Sequence, residues 1–76
     1  MLSQAFGNVL RIYRTKAGIS QEKLAEFADL DRTYISLLER GLRKPSLNIV
    51  FNLSKALNVK PHQLIEEVEK LMSLHH

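Results

Sequence analysis

The chain has no cysteine, and among its 76 residues there are only two prolines and three glycines. Without cysteine, disulfides and thiolate metal sites are excluded, which fits a reducing compartment. No run of apolar residues is long enough to span a bilayer. The opening "MLSQAFGNVLRIYR" lacks the basic-then-apolar order of a signal peptide, so a cytoplasmic protein without membrane contact is expected. No segment alternates apolar and polar residues as a half-buried strand does, and no repeat, linker or low-complexity stretch occurs. A glycine-rich phosphate loop is missing. His62 has neither a cysteine nor an acidic partner at ligand or triad spacing, and Glu66, Glu67 and Glu69 pattern as the wet side of a helix. No metal, no cofactor and no enzymatic activity are therefore expected. The terminal His75-His76 is given no role.

What is present fits one small domain, residues 1–76. A chain of this size buries only about 60% of its unfolded surface, so its core is marginal and leans toward a partner subunit. The net charge is +3, and its placement says more than its size. Residues 1–44 hold eight Lys/Arg against five acids, whereas residues 45–76 hold three of each. The whole excess lies in the first part, as a solvated surface or as a footprint for a polyanion.

The periodicity throughout is helical, and an all-α fold of five helices is expected. Leu2, Phe6, Val9, Leu10 and Tyr13 mark a first helix from about Ser3 to Lys16, stopping near Gly18, with Gly7 allowing close packing. Ser20 is a good N-cap for a short second helix, Gln21 to Ala28, whose apolar side is Leu24, Ala25, Phe27 and Ala28. After "DLD", Asp31 can cap a third helix from Arg32 to Arg40, closed by Gly41. Ser46 caps a fourth, carrying Leu47, Val50, Phe51, Leu53, Ala56 and Leu57. Pro61 suits the first turn of a fifth, about 61–73, striped with Leu64, Ile65, Val68, Leu71 and Met72.

The third helix has an unusual exterior. At 3.6 residues per turn, Ile35 and Leu38 point to the core while Arg32, Thr33, Ser36, Leu37 and Arg40 point away, with Tyr34 and Glu39 at the boundary. No acid stands at the centre of that face. Two short helices joined by a three-residue break, the second with a polar exterior, describe a helix-turn-helix.

"GISQEKLAEFADLDRTYISLLERG" resembles the helix-turn-helix of the phage-repressor and Cro type, also called the xenobiotic-response-element family. Gln21 opens the motif, Leu24 and Ala25 follow where the helices cross, Leu30 plugs the turn, and Ile35 and Leu38 lie beneath the recognition helix. "PSLNIVFNLSKALNVKPHQLI" is similar to the family's fourth and fifth helices. "LDRTYIS" with "ERG" is especially similar to the controller proteins of restriction–modification systems. One departure is Asp29, at the turn place usually held by glycine; aspartate tolerates the left-handed region better than most residues.

The resemblance implies a sequence-specific DNA-binding transcriptional regulator, autoregulatory in the controller-like case, that blocks or recruits RNA polymerase. Arg32 is placed to bridge guanine O6 and N7, or to meet a phosphate. Thr33 and Ser36 can donate to or accept from several bases, or simply face solvent. Leu37 can meet a thymine methyl or be an ordinary exposed leucine. Arg40 can reach the DNA backbone or complement the helix dipole. The resemblance also puts the hydroxyl of Tyr34 and the side chain of Gln21 at phosphates; the Tyr34 ring can at the same time be partly buried against the second helix. Arg43, Lys44, Ser46 and Asn48 surround a second anion site at the start of the fourth helix. The resemblance further implies that Arg14 and Glu39 pair to fix the recognition helix on its scaffold; the alternative is a solvated surface pair that contributes little.

The fourth and fifth helices carry more apolar residues than one small core needs. A homodimer is expected through Ile49, Val59, Pro61, Leu64 and Ile65, on an inverted-repeat operator. The rival expectation is an antitoxin or protein-interaction adaptor built on the same fold.

Overall fold

The computed structural model describes residues 1–74 and forms five helices: α1 (Leu2–Lys16), α2 (Gln21–Ala28), α3 (Arg32–Glu39), α4 (Leu47–Ala56) and α5 (Pro61–Leu74). No strand occurs among the described residues, and His75-His76 lies outside them. Two of the starts are set by serine. Ser20 Oγ accepts the Lys23 N–H at 3.0 Å and Ser46 Oγ accepts the Ile49 N–H at 3.1 Å, each satisfying a donor that the first turn would leave unpaired. Asp31 has the extended backbone of an N-cap, but its side chain makes no capping bond. At α5 the Lys60 N–H donates to Gln63 Oε1 at 2.7 Å, half of a capping box.

Four helices end in one way. The N–H groups of Gly18 and Ile19 return to the carbonyls of Thr15 and Arg14, those of Asp29 and Leu30 to Glu26 and Ala25, those of Gly41 and Leu42 to Leu38 and Leu37, and those of Asn58 and Val59 to Lys55 and Ser54. This is the Schellman arrangement, in which one left-handed residue turns the chain and the next is commonly apolar. The left-handed residues are Gly18, Asp29, Gly41 and Asn58. The apolar followers are Ile19, Leu30, Leu42 and Val59, and all but Leu42 pack against the core. Asp29 thus adopts φ 56° and ψ 45°, so the turn survives without glycine.

One core gathers residues from every helix, including Phe6, Val9 and Leu10 of α1, Leu24 of α2, Ile35 and Leu38 of α3, Leu53 of α4, and Leu64 and Val68 of α5. α1 packs on α3 and α5, α2 on α3 and α4, and α4 on α5. Two expectations need correction. Phe27, expected on the apolar side of α2, is 56% exposed. α4 docks at Ala28, where Asn52 Nδ2 donates to the Ala28 carbonyl at 2.6 Å, and the Phe27 ring stays outside with Lys23 Nζ 5.7 Å from its centre. Leu64, expected on a dimer face, is fully buried within the single chain. α5 turns Leu64 and Val68 to the core, so the next residue, Ile65, is the one left outside.

Gly7 is where α1 crosses the end of α3. A Cβ there would overlap the Leu38 carbonyl oxygen and lie 2.7 Å from that of Glu39, both backbone atoms with little freedom to retreat. Gly7→Ala improves helix propensity by about 1 kcal/mol. Because both clashes are with backbone, the overpacking falls in the upper part of the usual range, about 2–3 kcal/mol, and outweighs it. A net loss of about 1–2 kcal/mol is expected, read as a lower urea midpoint with an unchanged slope. Equal midpoints would show that α1 and α3 slide apart without cost.

Candidate nucleic-acid interface

The start of α3 is open. Arg32 and Thr33 are exposed, while Tyr34, Ser36 and Leu37 are half-buried. Leu37 is therefore not the fully exposed leucine that periodicity suggests. After it the Schellman turn reverses the chain, with the Leu42 N–H donating to the Leu37 carbonyl at 2.9 Å. Arg40 is exposed and lies one residue beyond the helix rather than on it. A surface hollow of about 350 Å³ is lined by Ser20, Lys23, Leu30 and Arg32, and also by Glu22 and Glu26. It places the beginnings of α2 and α3 side by side.

The end of α3 is fixed. Glu39, expected at the boundary, is only 4% exposed. Arg14 Nε donates to its Oε2 at 2.6 Å and Arg14 Nη2 to its Oε1 at 3.1 Å, a two-pronged pair between α1 and α3. Arg14 Nη1 also donates to the Ile19 carbonyl at 2.9 Å, at the turn between α1 and α2. The hydrogen bond to Glu39 raises the Arg14 pKa above its ordinary value, against the lowering effect of burial, so the guanidinium stays charged. Gln21 joins the same carboxylate, with Nε2 donating to Oε1 at 3.0 Å. The sequence assigns Gln21 to phosphate alone. Its bond to Glu39, 18 residues away, leaves no local pattern to find.

Around the start of α4, Arg43, Lys44, Ser46 and Asn48 are exposed. Arg43 Nη1 donates to the Leu42 carbonyl at 2.9 Å, and the Ser46 hydroxyl is the helix cap. Of the residues expected at a dimer face, Ile49, Val59 and Pro61 are half-buried and Ile65 is exposed. Phe51, 55% exposed on α4, adds to that side. His62 is exposed, and among the described residues no three His, Cys, Asp or Glu are grouped to hold a metal ion. No helix among them is long and apolar enough to cross a membrane.

A helix-turn-helix family model matches residues 10–64, and the chain belongs to that family. Within it, the chain is 50% identical over 62 residues to the control protein C.BamHI of Bacillus amyloliquefaciens, covering 80% of this chain and 76% of that protein. The crystal structure of the restriction–modification controller protein C.AhdI from Aeromonas hydrophila has a TM-score of 0.80 at 44% identity, covering 82% of this chain and 94% of that one. A tyrosine variant of the controller protein C.Esp1396I has a TM-score of 0.91 at 30% identity, covering 100% and 96%. Other solved variants of that protein alter an arginine and a threonine, so that three successive positions are involved. Arg32, Thr33 and Tyr34 give the same residue types in the same order. The protein is a DNA-binding transcriptional regulator resembling the restriction–modification controller proteins.

Proposed function

We propose that this regulator acts as one domain and as a homodimer in the cytoplasm, on an inverted-repeat operator near its own promoter. Control is by occupancy rather than catalysis. Bound over a promoter it excludes RNA polymerase, and bound upstream it helps recruit it. The observation that carries this reading is the asymmetry of α3. Its end is held by a buried carboxylate while Arg32 and Thr33 stand exposed at its start, the end that a recognition helix turns toward base edges.

In this reading Arg32, Thr33, Ser36 and Leu37 meet the bases. Tyr34, Gln21 and Arg40 grip phosphates beside them, and Arg43, Lys44, Ser46 and Asn48 grip at the start of α4. Selection from a random duplex pool tests it. Enriched sequences should carry two inverted half-sites about 10–10.5 base pairs apart. Enrichment of no sequence, together with recovery of one stoichiometric protein partner, would replace the operator reading by that of an interaction adaptor.

The dimer is assigned to the α4–α5 side. Phe51 is exposed there on a shallow hollow of about 740 Å³ lined also by Lys55, Val59 and Pro61, and Ile65 is exposed on a neighbouring hollow lined by Val50 and Val68 among others. An isologous contact through this side covers both apolar residues in each subunit. Light scattering should give a particle of two chains for the natural sequence and of one chain for Phe51→Asp or Ile65→Asp. Both residues are surface residues in the single chain, so the monomer should keep its helical circular dichroism. Two-chain particles in both variants would move the interface elsewhere.

A further inference from the structure

Glu39 does more than join α3 to α1. Its Oε1 receives both Arg14 Nη2 and Gln21 Nε2, at 3.1 and 3.0 Å. A carboxylate only accepts hydrogen bonds, so the edge of the Gln21 amide turned toward it must be an N–H. An unanchored glutamine amide can rotate half a turn and offer oxygen in place of nitrogen. Against a phosphate, which also only accepts, the oxygen edge is useless and repulsive. Gln21 is half-buried at the first position of α2, and its amide nitrogen keeps a second N–H beyond the one given to Glu39.

We infer that Glu39 is a positioning residue for DNA: through its bond to Gln21 Nε2 it sets which way the Gln21 amide faces and holds an N–H ready for a phosphate of the operator. This inference rests on the operator-binding reading above. The role of Arg14 in it is to hold the carboxylate in place, since two of its nitrogens bond both carboxylate oxygens.

The inference opposes simple electrostatics, which makes it testable. Glu39→Gln removes a negative charge from a protein that binds a polyanion, so charge alone predicts tighter binding to every duplex. Loss of positioning predicts the reverse for the operator. Four proteins are titrated with the selected operator: the natural sequence, Glu39→Gln, Gln21→Ala and the double variant. Glu39→Gln is expected to weaken binding about threefold to tenfold per half-site, the range of one hydrogen bond. In the Gln21→Ala background the same change should leave affinity equal or slightly improved. Operators carrying a single neutral methylphosphonate locate the contact. One position per half-site should penalise the natural protein and leave Gln21→Ala and Glu39→Gln indifferent.

Thermal melts fix a titration temperature at which all four remain folded. If Glu39→Gln does not fold there, Glu39→Asp replaces it. It keeps the charge and withdraws the carboxylate from Gln21 by one methylene, and the same loss and the same dependence on Gln21 are expected. Equal weakening in both backgrounds, or no weakening in either, overturns the inference and leaves Glu39 a purely structural residue. Absence of any sequence-preferring binding by the natural protein is a different outcome, since it removes the operator reading itself.

Discussion

Arg14→Met is expected to destabilise the fold by about 3–5 kcal/mol, the usual consequence of leaving one member of a buried ion pair alone. The side chains are 14% and 3% exposed for Arg14 and Glu39, so little water reaches the carboxylate once the guanidinium is gone. Gln21 alone would remain as a neutral donor, and the Ile19 carbonyl would lose its partner as well. For a domain of this size, such a loss lowers the melting midpoint by at least about 10 °C.

The double change Arg14→Met with Glu39→Met should recover most of the difference, because two apolar side chains need no partner. The exposed pairs Lys23–Glu26 and Lys70–Glu67, both at 3.4 Å, serve as controls. Breaking either should shift stability by no more than about 1 kcal/mol. Thermal melts followed by circular dichroism decide the matter. If Arg14→Met melts within a few degrees of the natural protein, the pair holds nothing together and the end of α3 is fixed by packing alone.

The second large effect concerns reading as distinct from gripping. If Arg32 bridges a guanine, Arg32→Ala should cost about 1–3 kcal/mol per half-site and relax preference at one base position. If Lys44 meets only phosphate, Lys44→Ala should weaken all duplexes about equally and lower the salt slope by about 1 per half-site. Each change removes one positive charge from an exposed side chain. Loss of charge alone would therefore make the two variants behave alike. Titrations at several salt concentrations, on the selected operator and on versions altered at each base pair, separate the cases. Should Arg32→Ala keep the full base preference and merely flatten the salt slope, Arg32 is a phosphate contact. Base reading then falls to Thr33, Ser36 and Leu37.

Local chemistry explains which parts of this structure the sequence discloses. Ser20 and Ser46 cap where expected because a cap needs only its own next three residues. Gly41 ends α3 for the same local reason, and α2 runs from Gln21 to Ala28 as its pattern suggests. What periodicity leaves open is the rotation of a broad apolar stripe against its neighbours. Leu64 and Ile65 are adjacent and equally apolar, and only the packing of α5 on α1 and α4 sends the first inside and the second out.

Phe27 is the same case on α2, where α4 arrives at Ala28 and leaves the ring uncovered. In the recognition region, the exposure of Arg32 and Thr33 follows from helical phase. The half-burial of Leu37 departs from that phase, and the Gln21–Glu39 bond follows from the meeting of two helices. Those two features belong to the tertiary structure and have no sequence signature of their own.

The packing of α1 on α5 has a consequence in time. Phe6, Val9 and Leu10 share their core with Leu64 and Val68, so the first helix made is closed by the last. On the ribosome, α3 emerges with its outward arginine long before α5 arrives, but α1, which must hold α3 by Arg14, still lacks its other wall. At about 5–20 residues per second, a few seconds of synthesis separate Glu39 from Val68. Chains stalled with α5 inside the exit tunnel are expected to be cut quickly by protease and not to retain operator DNA. Chains extended by a linker that frees α5 should resist protease and bind. The seating of α3 on its scaffold therefore waits for α5 to leave the tunnel and close the other wall of α1.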